Sequence, residues 1–386
     1  MLTIFQPEIH IEGDTARLEA VYDCDGVKNT LWFSTTVEYA DYLCHEHADA
    51  FLVALLFNAM KEHHDIHIKS TISTRLYYTL TRYFIPVLCH MNPSFIVINI
   101  TCDKLDSTPL PSAGGVGTGV SCGIDSLYTI AEHTREECPI DYRLTHLAFF
   151  NVGSHGTGAE GRKLYHERLH NVRKFAQECG LPIVTIDSNV GDIGNVPFVA
   201  IYTVNNISCV LSLQKLFRNY HCSSGYAAYD FKFKWGDASY YEPYSLSMLS
   251  TNDTSFIPTG SAHYRTEKTA VVAEYPLSYR FLNVCITSEV NCSICAKCMR
   301  TLLTLEVQGK IGLYSQIFDL QKYARQRNKY IGQILAFKSQ DALLRDIYQI
   351  MMKKQFAIPP AAYLFGCYYA MKKITSQIKD KRGRVK

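Results

Sequence analysis

The sequence lacks a basic segment followed by a long apolar one: it opens Met1-Leu2-Thr3-Ile4-Phe5, which argues against a secretory signal. It also lacks an apolar run of membrane length. The longest, Phe356 to Met371, contains Pro359, Pro360 and Gly366 and falls short of the roughly 20 residues a span needs. A buried or amphipathic helix is expected there, and the expected location is cytoplasmic with no membrane contact. There is no G-x-x-x-x-G-K-[ST] loop, which excludes a Walker-type phosphate site. Internal repeats and low-complexity segments are missing too. Net charge is small, +3 over 386 residues, so no polyanionic partner is implied. Only Lys379 to Lys386 is clearly basic, and such a run reads as a solvated tail.

What is present is the composition of a globular protein, 47% apolar and 19% charged, at a length that calls for two or three domains. Fourteen cysteines are many. In a reducing compartment they are thiols instead of disulfides. Cys44, Cys89, Cys179, Cys209 and Cys367 stand alone in apolar surroundings and read as small buried hydrophobes.

The expected fold class is α/β. Residues 1–105 read as an α+β domain. Alternating segments at 9–12 and 16–20 flank Gly13-Asp14 as a hairpin, with a third strand at 31–37. Helices are expected at 40–61 and 75–89 and a strand at 95–100. Ser107 to Gly119, rich in Ser, Pro and Gly, reads as a connection. Beyond it strands and helices alternate: helix 127–133, strand 147–151, helix 163–179, strand 182–186, helix 207–220 and a short strand at 221–223. That alternation predicts a doubly wound parallel sheet over about 115–235. Domain boundaries are expected at 1–105, 106–305 and 306–386, the last a helical region with firm helices at 300–308 and 313–326 and the basic tail.

Two local patterns carry chemistry. Ser121-Cys122-Gly123-Ile124-Asp125-Ser126 lies at a strand-to-helix junction, where free backbone N–H groups and the helix dipole suit an anion. Gly123 permits close approach, and Ser121 and Ser126 add hydroxyls. A carboxylate at Asp125 suits phosphate only with a magnesium ion between them. Capping of the helix by Ser121 or Asp125 is the plainer alternative. The second pattern is Cys285, Cys292, Cys295 and Cys298, a C-x6-C-x2-C-x2-C spacing. Two-residue gaps let thiolates converge, and four of them close a tetrahedral, structural zinc site. An iron–sulfur cluster uses the same ligands.

The first pattern resembles the Ser-Gly-Gly-x-Asp-Ser loop of PP-loop ATP pyrophosphatases, which bind ATP and cleave it between its α and β phosphates; Cys122 stands where that family usually has glycine. The second resembles the C-terminal cysteine cluster and nearby arginine of the 7-cyano-7-deazaguanine synthases, with Lys297 and Arg300 as candidate contacts to an anionic group. The resemblance spans about 118–305 and implies a PP-loop (HUP-like) sheet carrying a zinc segment at 285–298. It extends to Gly153 in the turn after the second strand, to Asn206 (Asn205 replacing an arginine), to Gly225 and to Asp230. Arg265-Thr266-Glu267-Lys268 falls where substrate-facing charge is expected. The resemblance implies ATP bound by Ser121, Cys122, Gly123, Ile124, Asp125, Ser126, Gly153, Asn206 and Gly225, with Asp125, Ser126 and Asp230 catalytic and Asp125 and Asp230 associated with Mg2+. It implies a ligase that adenylates a carboxylic acid and carries it on to an amide or nitrile. The other readings are a relative that conjugates a protein or nucleic acid through residues 1–105, a tRNA-thiolating enzyme, and a non-catalytic zinc-stapled nucleotide-binding module. A dimer contact is a further expectation for residues 1–105.

Overall fold

The computed structural model describes residues 1–194, 196–285 and 288–383, with side chains through 373. The basic run Lys379 to Lys386 lies outside the residues whose side chains are described. The strands are β1 (Leu2–Ile4), β2 (Glu8–Glu12), β3 (Thr15–Cys24), β4 (Val27–Thr36), β5 (Ile66–Ser73), β6 (Ile100–Asp106), β7 (Gly115–Gly119), β8 (His146–Asn151), β9 (Ile183–Ser188), β10 (Phe217–Ser223) and β11 (Ser255–Thr259). The helices are α1 (Asp49–Lys61), α2 (Thr74–Thr79), α3 (Ile85–Met91), α4 (Ile124–His133), α5 (Gly158–Cys179), α6 (Phe198–Ser212) and α7 (Glu242–Leu249). They continue with α8 (Arg265–Val272), α9 (Ser278–Phe281), α10 (Ala296–Val307), α11 (Leu320–Phe337), α12 (Ala342–Lys353) and α13 (Pro360–Gly383). Two compact units result, one of residues 1–121 with 132–262, the other of residues 122–131 with 263–386. Among the described residues no helix is long and apolar enough to cross a membrane.

The first unit is an α/β structure around one large, mostly parallel sheet, in the order β11-β10-β7-β8-β9-β4-β3-β1-β5-β6 with β2 paired to β3. Five strands, β9, β8, β7, β10 and β11, are parallel throughout. The antiparallel β3–β4 hairpin joins them where Phe33 and Ser34 of β4 meet Ser188 and Asp187 of β9. Residues 1–105 thus supply strands to the same sheet as residues 115–259. The β2–β3 hairpin forms where its alternation placed it, with Ala16, Leu18 and Ala20 turned into the core. Helix α1 is buried on nearly every side and packs on α6, as befits a helix apolar all round.

Several expected boundaries move, each for a physical reason. The segment 95–100 is not a strand: Phe95 packs against Phe57 and Trp235, ring centroids 5.8 and 4.8 Å away, and β6 starts only at Ile100. The expected connection 107–119 hides the central strand β7. Its glycines are required by packing, since a Cβ on Gly117 would lie 2.5 Å from the Phe217 ring and one on Gly115 2.6 Å from the Leu216 carbonyl. The helix expected at 207–220 ends at Ser212, and β10 takes over from Phe217. The helix expected at 40–61 begins at Asp49, after a short 3-10 turn at Val37–Tyr42. Of the cysteines read as buried hydrophobes, Cys44 and Cys209 are buried, Cys89 and Cys179 half-buried, and Cys367 exposed.

Candidate functional site

In the second unit the chain leads through Cys122 and Gly123 into α4. Cys122 has φ +56°, the left-handed region where a glycine costs nothing and a side chain is strained. The conformation is held from outside the loop by Asn283, whose backbone N–H donates to the Cys122 carbonyl at 2.8 Å. The left-handed turn brings Asp125 into the first turn of α4, and Ser126 behind it is buried.

Asp125 faces basic side chains from two other helices. Arg265 and Lys268 project from one face of α8, a helical turn apart. The Arg265 guanidinium bonds to one carboxylate oxygen of Asp125, and Lys268 Nζ lies 3.3 Å from the other. Lys268 is only 1% exposed, so its side chain meets that carboxylate within the protein. Asp346 of α12 fixes the start of α8, accepting from the Thr266 backbone N–H at 3.0 Å and its hydroxyl at 2.6 Å. Lys297 and Arg300 come from α10, again one turn apart. Burial, then repulsion from Arg265 and Arg300, lowers the pKa of Lys297, an effect that solvent tempers because the residue as a whole is exposed. Burial, then Arg265, also lowers that of Arg300. Asp125 is a carboxylate common to all four cations. Asp341 acts on Arg300 and Asp346 is near Arg265, and four cations sharing the Asp125 carboxylate make a setting that accepts further anionic charge.

Helix α10 also carries half of the cysteine cluster. Cys295 is its N-cap and Cys298 lies in its first turn, where burial pushes the Cys298 thiol up. Cys285 and Cys292 come from the preceding loop, and one sulfur of each of the four lies within 4.8 Å of the others. The loop is tied by Asn291, which donates to the Leu282 carbonyl at 2.7 Å and accepts from the Val284 N–H at 2.9 Å. A left-handed Ser293, φ +66°, turns the chain between Cys292 and Cys295. The Cys292 and Cys298 sulfurs are 3.9 Å apart, close to the roughly 3.8 Å edge of a tetrahedron with Zn–S of about 2.3 Å. Burial opposes ionisation of Cys292, but the backbone N–H groups of Ile294 and Cys295 outweigh it and lower the thiol's pKa. These four cysteines could hold a metal ion such as zinc, and the donor set and spacing fit it.

The remaining expected site residues belong to the first unit. Ser121 follows β7. Gly153 follows β8 at φ +104°, against which Gly191 packs so closely that a Cβ there would lie 2.8 Å from the Gly153 nitrogen. Asn206 donates to the Tyr202 carbonyl at 2.7 Å, within its own helix, whereas Asn205 is buried and donates to the Val152 carbonyl at 3.1 Å. Gly225 follows β10, and Asp230 closes a short 3-10 turn at Ala228–Asp230. One signal lies outside those expectations: Gly156-Thr157-Gly158-Ala159-Glu160-Gly161 is a G-x-G-x-x-G run that follows β8 and enters the first turn of α5. Asp192 already occupies that helix start, accepting from the Gly158 N–H at 3.1 Å and pairing with Arg162 at 3.3 Å. The cavity left there is about 10 Å³, room for about one water. No family model, curated protein or solved structure matches this chain.

Proposed function

We propose that this chain is an ATP-dependent ligase of the PP-loop type, acting as the 7-cyano-7-deazaguanine synthases do: it adenylates a carboxylic acid, releases pyrophosphate and passes the acyl group to an amine. The observation that carries the reading is the cation-rich setting of Asp125, at the start of the helix that follows the phosphate-type loop. Asp125 pairs with both Arg265 and Lys268. A polyphosphate bearing Mg2+ offers those two cations a replacement anion and the carboxylate a replacement cation. Charge developing on the pyrophosphate leaving group would then be met by fixed donors, the commonest source of catalytic stabilisation in phosphoryl chemistry. Ser121 to Ser126 would hold the phosphates. A closed four-thiolate ion would have a structural task here, holding the start of α10 and with it Lys297 and Arg300.

The test is to incubate the protein with Mg2+-ATP and a panel of carboxylic acids with ammonia, and identify the nucleotide released. AMP with pyrophosphate is expected. ADP, or no turnover with any acid, would overturn the reading. Asp125→Ala should cut pyrophosphate release by about a hundredfold or more with zinc content unchanged; normal turnover in that variant would reduce the loop to a capped helix.

A further inference from the structure

The β3–β4 hairpin turns through Asp25 and Gly26, at φ +51° and +90°, a two-residue turn of the kind that matches strand twist. Its rigidity fixes Cys24 at the end of β3. Strand β1 sits between β3 and β5, and Leu2 pairs with Cys24 on one side and with Ile66 on the other. His64, two residues before Ile66, is held by its own N–H, which donates to the Ala59 carbonyl at 2.8 Å. Sheet register therefore brings a thiol, a carboxylate and an imidazole together from segments far apart in the chain. Cys24 Sγ is 3.3 Å from His64 Nδ1, and His64 Nε2 is 3.0 Å from Asp25 Oδ2. One donor atom of each residue lies within 4.8 Å of those of the other two. Cys24 and His64 are half-buried and Asp25 is exposed; the Met1 amino group also bonds to Asp25.

We propose that Cys24, Asp25 and His64 form a second metal site, which takes a zinc-class divalent ion through three protein ligands and leaves a coordination position open. With Zn–S of about 2.3 Å and Zn–N and Zn–O of about 2.0–2.1 Å, a tetrahedral shell places sulfur and nitrogen roughly 3.5 Å apart and nitrogen and oxygen roughly 3.3 Å apart. The Cys24 to His64 Nδ1 separation is within a few tenths of an ångström of the first; Asp25 stands at the other ring nitrogen, and as an exposed side chain it would swing toward the ion to complete the shell. The donor types select the ion. Thiolate and imidazole suit zinc and its neighbours and do not suit Mg2+ or Ca2+. One thiolate and one carboxylate balance a divalent charge. Three ligands with an open position, at a half-exposed site, give weaker and more exchangeable binding than the closed four-cysteine shell.

The experiment uses the full chain, stripped of metal, reloaded with Zn2+ and freed of loosely held ion, with zinc measured per chain. Two ions are expected in the wild type, one in Cys24→Ser and one in His64→Ala, the four-cysteine ion remaining in both. A mild chelator should remove one of the two wild-type ions ahead of the other. Titration with Co2+ should show thiolate charge-transfer absorption lost in Cys24→Ser, and apparent affinity lowered about 10- to 100-fold in Asp25→Asn. Should Cys24→Ser or His64→Ala fail to fold, alkylation of wild-type Cys24, mapped by mass, decides: Zn2+ slows it if the site binds and leaves it unchanged if it does not. Equal zinc content in wild type and Cys24→Ser overturns the proposal. None of these readouts depends on ATP turnover.

Discussion

Cys285, Cys292, Cys295 and Cys298 converge within one short loop and the first turn of α10, while Cys24 and His64 meet across 40 residues of chain. The first cluster is written in local spacing. Any chain with two-residue gaps between thiols at a helix start can bring them together, and the ion completes the loop. The second is written in sheet register: nothing in the spacing of Cys24, Asp25 and His64 announces it, and it exists because β1 lies between β3 and β5. A locally built ligand set needs its ion in order to fold. A register-built one is folded first and binds afterwards.

That contrast makes the largest expected effect a difference in stability. Cys295→Ser should remove the four-cysteine ion and destabilise the second unit by several kcal/mol, since binding energy in such a loop is folding energy. For a unit of this size that is a fall in Tm on the order of 10 °C or more. Cys24→Ser should shift Tm by no more than a few degrees, because β1, β3 and β5 keep their ladders without it. Thermal melts of both variants, with and without chelator, check the pair. Equal shifts would erase the distinction between local and register-built clusters.

The same division explains how much of the molecule was legible beforehand. The β2–β3 hairpin, β8, β9 and α5 announce themselves by alternation or helical spacing, and the cysteine cluster by its gaps. Asp125 was legible as a carboxylate at a helix start, and Arg265 and Lys268 as a charged segment. That Lys268 is buried against Asp125 was not, because the pairing depends on where α8 lands. Strand β7 was hidden for a steric reason. A Gly-Val-Gly-Thr-Gly run has the composition of a loop, but at Gly115 and Gly117 Leu216 and Phe217 of the neighbouring chain segment approach too closely for a Cβ. Propensity reads side chains, and here the decisive feature is their absence.

Gly117→Ala sharpens this point. The added methyl would fall 2.5 Å from a ring carbon of Phe217, itself fully buried. The ring has no free space to enter, so the substitution should destabilise the first unit by about 1–3 kcal/mol, the usual size of overpacking in a core. Denaturant unfolding measures it. A neutral or stabilising result would mean that β7 is glycine-rich for some reason other than packing.

The smallest expected effect is at Cys122, where local sequence and local conformation disagree. Its φ of +56° costs a non-glycine residue about 1–2 kcal/mol, and the resembled family places glycine there. Cys122→Gly removes that strain. It also removes a buried thiol and frees the unfolded chain, which takes back about 0.5–1 kcal/mol. The net expectation is a gain of about 1 kcal/mol or less, read as a small rise in the denaturant midpoint with an unchanged slope. A clear loss of stability would show that the buried sulfur contributes more through packing than the backbone loses through strain. Zinc content should be the same in either case, since Cys122 is no part of the four-cysteine shell. Turnover adds a second axis: a faster Cys122→Gly enzyme would place the strain on the reaction path, whereas a slower one would give the thiol a task of its own in the loop.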